Sequence, residues 1–77
     1  MKNSSIAFGK IIAALRQSAR FSQEELAERA AIHRTYVSQI ERGLKSPTIT
    51  MLFRLAKALD TVPSKILKQL ETDIGAT

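Results

Sequence analysis

The chain predicts an all-α fold, a compact domain of five short helices. Three observations lead there. Glycine and proline are scarce, at three and two among 77 residues. No segment alternates apolar and polar residues for long enough to make a good strand. Apolar residues instead recur at helical spacing almost throughout. The length allows one domain, residues 1–77. A domain this small buries only about 60% of its unfolded surface, so its core is small and a partner can share it. No repeat, low-complexity stretch or linker interrupts the pattern. The ends, Met1 to Asn3 and Gly75 to Thr77, read as frayed.

The first helix starts after Ser4 or Ser5, either of which can cap it, and places Phe8, Ile12 and Leu15 on one face. Arg20 and Phe21 form the connection. The second helix has the strongest start signal: Ser22 as N-cap, Glu25 three residues later as a capping box, and Phe21 with Leu26 at the spacing of a hydrophobic staple. Glu24, Glu25 and Glu28 put negative charge towards its positive end. Arg29 is expected to pair with Glu25 four residues back. Leu26, Ala27 and Ala30 face inward, and the helix stops near Ala30. A turn from Ala31 to His33 leads to a third helix, about Arg34 to Arg42, with Val37, Ile40 and, past its end, Leu44 inward. Gly43 suits a left-handed helix ending. Thr48 caps a fourth helix carrying Leu52, Leu55, Ala56 and Leu59, which Asp60 and Thr61 end. Pro63 suits the first turn of a fifth, with Ile66, Leu67, Leu70 and Ile74 as its stripe.

Composition narrows the function. A net charge of +5 and a pI near 10.1 favour a polyanionic partner through attraction to phosphates and counterion release. There is no cysteine, hence no disulfide and no thiolate metal site, which suits a reducing cytoplasm. The longest apolar run, Ile11 to Leu15, is far below the roughly 18 residues of a membrane span, and the N-terminus lacks the apolar core of a signal peptide. The reading is a cytoplasmic protein, nucleoid-associated when bound to DNA. His33 is the only histidine, which argues against a metal site. No nucleophile–base pair or phosphate-binding glycine loop is apparent, so no enzyme activity and no cofactor are expected.

The second and third helices carry the functional pattern. Two short helices that cross closely need a small residue at the crossing, here Ala27. Leu26, Ala30, Ile32, Val37 and Ile40 would pack the unit and hold the third helix outward. Its outward face then reads Arg34, Thr35, Tyr36, Ser38, Gln39 and Arg42, with no acidic residue among them. Those side chains suit phosphates and base edges. The alternative for Tyr36 is half-buried packing. Lys57, Lys65 and Lys68 read as solvated charges.

The run from Phe21 to Leu67, with FSQEELAERA, RTYVSQIERG and SPTITMLFRLAKAL, resembles the phage-repressor-like (xenobiotic-response-element type) helix-turn-helix family. Phe8 to Arg16 extends the match to about four-fifths of the chain. The resemblance implies a five-helix, lambda-repressor-like domain, with the helix-turn-helix formed by helices two and three, that dimerises on palindromic operators. RTYVS in a short chain is also similar to the controller proteins of restriction-modification systems. Carried over by residue, Gln23 would touch a phosphate. Arg34, Thr35 and Gln39 would meet bases. Tyr36, Ser38, Arg42 and Lys45 would meet backbone or adjacent bases. The resemblance also implies a largely buried ion pair between Arg16 and Glu41, so Arg16 is kept off the contact set.

Two positions depart from the family pattern. Ala31 and Asp60 stand where glycine is usual. A left-handed Ala31 would cost on the order of 1–2 kcal/mol, whereas Asp tolerates that geometry better. On the fifth helix, Ile66 and Leu70 close the core and Leu67 and Ile74 leave apolar surface. A symmetric homodimer is therefore expected through Leu67, Leu70 and Ile74 together with the end of the fourth helix, placing two reading helices about 34 Å apart. The function expected is a dimeric, sequence-specific regulator of transcription, often of its own promoter. Activation would need contact with RNA polymerase, and no residue is assigned to it. The competing reading is an antitoxin-type module that neutralises a partner toxin and represses its own operon. The chain lacks the long disordered tail such a module would wrap around its target, and the neighbouring gene, toxin or methyltransferase, would separate the two.

Overall fold

The computed structural model describes residues 4–75. Residues 1–3, 76 and 77, where fraying was expected, lie outside the described residues, whereas Gly75 closes the last helix. Five helices follow one another: α1 Ser4–Ser18, α2 Gln23–Ala30, α3 Arg34–Glu41, α4 Ile49–Ala58 and α5 Pro63–Gly75. No strand occurs among the described residues. The serines expected to cap α1 instead form its first turn.

Local chemistry sets most of the helix starts. Ser22 accepts the Glu25 N–H at 3.0 Å, and Glu25 Oε1 accepts the Ser22 N–H at 2.9 Å. Two donors that a helix start leaves without partners are thus satisfied reciprocally. Thr48 Oγ1 accepts the Met51 N–H at 3.1 Å and starts α4. Pro63, which has no N–H to lose, is the first residue of α5.

The first four helices end in the same way. Arg20, Ala31, Gly43 and Asp60 take φ of 62°, 57°, 74° and 57°. Each sends its N–H back to the carbonyl three residues earlier, and the next residue's N–H reaches the carbonyl five back: Phe21 to Arg16, Ile32 to Ala27, Leu44 to Gln39 and Thr61 to Ala56. This is the Schellman ending, in which a left-handed residue lets the last carbonyls find donors. Only one of the four is glycine.

These reversals fold the helices around one core. Phe8, Ile11 and Ile12 of α1, Leu26, Ala27 and Ala30 of α2, Val37 and Ile40 of α3, Leu52, Leu55 and Ala56 of α4, then Leu59 and Ile66 make up the buried cluster. Leu15, Phe21, Ile32, Tyr36 and Leu70 pack against it part-buried. Leu44 departs from expectation. The helix stops at Glu41 and Gly43 turns the chain away, leaving Leu44 61% exposed. Arg29 departs too. With Glu25 engaged in the cap, the Arg29 guanidinium lies over the Phe21 ring, 4.3 Å from its centroid.

Candidate nucleic-acid interface

The sequence of α3, RTYVSQIE, places two apolar residues three apart, Val37 and Ile40. Both are fully buried, which fixes the rotation of the helix. Arg34, Thr35 and Arg42 are then exposed, and Ser38 and Gln39 are partly so. Tyr36 is half-buried against the core. Lys45 is exposed in the loop that follows. The outward side of α3 therefore gathers Arg34, Thr35, Ser38, Gln39 and Arg42 into one hydrophilic surface. Tyr36 sits beside that surface with part of its side chain packed on the core.

Three anchors set the position of α3. The turn before it is held by α4, where Arg54 Nη1 donates to the Ala31 carbonyl at 3.3 Å. The far end is held by α1. A Cβ on Gly9 would run into the Ile40 carbonyl oxygen and come within 2.7 Å of that of Glu41, so α1 meets the end of α3 backbone to backbone. At Gly43, with φ of 74°, a Cβ would come within 2.7 Å of Ile6. Ser5 and Ser46 hydroxyls, 2.6 Å apart, join α1 to the loop after α3.

The third anchor is ionic. Arg16 Nε donates to Glu41 Oε2 at 2.7 Å and Arg16 Nη2 to Glu41 Oε1 at 3.1 Å, a two-pronged pair between α1 and α3. Arg16 Nη1 donates to the Phe21 carbonyl at 2.8 Å. The side chains are 15% and 7% exposed. The hydrogen bond to Glu41 raises the Arg16 pKa above its ordinary value, against the lowering effect of burial. Arg16 is thus directed into the fold and away from the α3 surface.

Gln23 is half-buried and is more than a candidate contact. Its Nε2 donates to Glu41 Oε1 at 3.0 Å, so it joins the ion pair from the start of α2. That link, the Arg54 tether and the Gly9 crossing all escape a reading of spacing alone, because each joins residues far apart in the chain. The apolar surface on α4 and α5 is also wider than the fifth-helix stripe. Ile49, Phe53 and Val62 are exposed, Phe53 by 59%, beside Leu67 at 46%, whereas Leu70 and Ile74 are half-buried. The spacing of Ile49 and Phe53, four apart and outside the inward stripe of α4, carried the missed signal.

Among the described residues no group of histidine, cysteine and carboxylate side chains could hold a metal ion, and no helix is long and apolar enough to cross a membrane.

The family model described as helix-turn-helix matches residues 12–73. The control protein C.BamHI of Bacillus amyloliquefaciens is 36% identical over 66 residues, covering 84% of this chain and 82% of its own. The crystal structure of the restriction-modification controller protein C.AhdI from Aeromonas hydrophila superposes with a TM-score of 0.78 at 34% identity, covering 80% of this chain and 94% of that one. The HTH-type transcriptional regulator MT0491 of Mycobacterium tuberculosis is 43% identical over 51 residues, covering 66% of this chain; the match spans only 36% of that longer protein.

Proposed function

The chain belongs to the helix-turn-helix family of DNA-binding transcription regulators, and from that premise we propose that it acts as a homodimer on a palindromic operator with α3 in the major groove. One observation carries this reading. The apolar residues Val37 and Ile40 are fully buried while Arg34 and Thr35 on the same short helix, and Arg42 just past its end, face solvent.

Arg34, Thr35 and Gln39 are assigned to base edges. Arg suits the two acceptors of guanine, Gln the donor–acceptor pair of adenine, and the Thr methyl that of thymine. Ser38, Arg42 and Lys45 are assigned to the DNA backbone or adjacent bases, with Tyr36 reaching it from its half-buried seat. Gln23 is assigned to a phosphate at the start of α2. The dimer contact is assigned to Leu67, Leu70 and Ile74 with the end of α4, where Phe53 and Val62 add exposed apolar surface. A shape of 33 × 22 × 22 Å lets two such copies span the ~34 Å between successive major-groove faces. Similarity to controller proteins over most of their length supports a role in a restriction-modification locus, including control of the chain's own promoter.

Selection of bound DNA from a random pool tests the whole reading, since it returns half-site, spacing and symmetry together. The expected result is a two-fold symmetric site with half-sites about one helical turn apart. Failure to enrich any sequence, with no binding even at low salt, would refute it.

A further inference from the structure

We propose that Glu41 is a positioning residue for DNA contact. Held by Arg16, it fixes the Gln23 side-chain amide so that the amino end, not the carbonyl, is offered to a phosphate. This rests on the function proposed above and deepens it, because Gln23 was assigned to a phosphate without any account of what aims it.

The chemistry is one of acceptors. A glutamine amide has one end that donates two protons and another that only accepts. An exposed glutamine can turn either end outward, and the carbonyl end is repelled by a phosphate. Glu41 removes that freedom. Its carboxylate only accepts, so it selects the Nε2 end of Gln23, at 3.0 Å. One N–H of the same nitrogen remains for a second acceptor, and a phosphate is an acceptor of that kind. Glu41 can serve as a fixed reference because it is itself immobile. It is 7% exposed and tied to Arg16 at 2.7 and 3.1 Å.

Arg16 has a second part in this. A bare carboxylate next to the phosphate backbone would weaken binding by like-charge repulsion. The guanidinium cancels that charge from the α1 side without occupying the surface. The rotamer freedom that Gln23 would surrender on meeting DNA is largely gone in the free protein.

The test is a double-mutant cycle on the full chain, with operator binding measured across a salt series and folding followed by thermal melting. Gln23→Ala should weaken binding about tenfold and leave the log–log salt slope unchanged, because a neutral amide displaces no counterion. The charge-free pair Arg16→Met/Glu41→Leu keeps the volume, and such replacements are often neutral for folding. In that background Gln23→Ala should change affinity less than about twofold. A purely structural pair would leave the Gln23→Ala factor the same in both backgrounds, which overturns the proposal. Side-chain amide exchange by NMR on the unaltered protein needs no variant to fold. One Gln23 Nε2 proton should be protected in the free state, and two equally unprotected protons overturn the proposal. A protein that ignores DNA at low salt sinks the functional reading itself. One that binds DNA with additive Gln23 effects sinks only the positioning role.

Discussion

Arg34 and Lys45 are both exposed cations at the proposed reading surface, one in the first turn of α3 and one in the loop beyond it, yet they are expected to behave differently. Arg34→Ala should relax the preference at one base position and cost about 1–3 kcal/mol against the cognate site. Lys45→Ala should weaken all sequences alike and reduce the salt slope by about 1. Quantitative binding to a panel of single-base operator variants at several salt concentrations separates the two, and equal profiles would contradict the division. Arg16 and Glu41 stand apart from both. Removing either alone should cost about 3–5 kcal/mol of folding stability, because the other charge is left buried without its partner; urea titration reads this directly. The two-faced character of α3 was legible because Val37 and Ile40 are three apart in a short helix. The pairing of Arg29 was not. Local spacing offered Glu25, but Glu25 closes the cap, and the Phe21 ring is the surface within reach.

At the scale of the elements, the helix endings are the least relaxed part of the fold. Arg20, Ala31 and Asp60 hold left-handed backbone that glycine adopts freely. Arg20→Gly and Ala31→Gly should each stabilise the domain by about 1 kcal/mol, which corresponds to roughly 4–8 °C in Tm for a domain of this size. Asp60→Gly should gain less, since Asp is better tolerated there. Thermal melting by circular dichroism checks the series, and a lower Tm for Ala31→Gly would mean that its methyl group contributes more than its backbone loses. Gly9 is the opposite case. Gly9→Ala drives a methyl into the carbonyls of Ile40 and Glu41. It should cost about 1–3 kcal/mol or more, as overpacking does, and weaken operator binding by displacing the end of α3. The starts of α2 and α4 could be read from residues three apart, because capping is local. Gly9 could not be read at all. Its neighbours lie more than thirty positions away, and nothing in the flanking residues of α1 marks the crossing. Leu44 was misplaced because inward spacing was extended past Gly43, where the chain reverses.

For the molecule as a whole, the proposed homodimer is tested at the apolar surface of α5. Leu67, at 46% exposure, is the apolar fifth-helix residue that stands clear of the core, whereas Leu70 also packs on it. Leu67→Glu is expected to shift sedimentation towards monomer and weaken operator binding while leaving helical content intact. An unchanged dimer would move the contact onto Phe53 and Val62. The five-helix architecture was legible from periodicity, since each stripe is continuous and each connection short. The exposed apolar surface of α4 and α5 was only partly so, because an unpartnered apolar face looks the same in sequence whether or not it completes the monomer.

The separation of buried and open sides on α3 has one more consequence. Ile40 and Val37 seat the helix, and the side chains of Arg34, Thr35 and Arg42 project away from that seat. On the proposed reading of α3, a new address for the protein can therefore be written at those positions without rebuilding the frame beneath them. Chains sharing this core yet differing at 34 and 35 would melt alike and still govern different promoters.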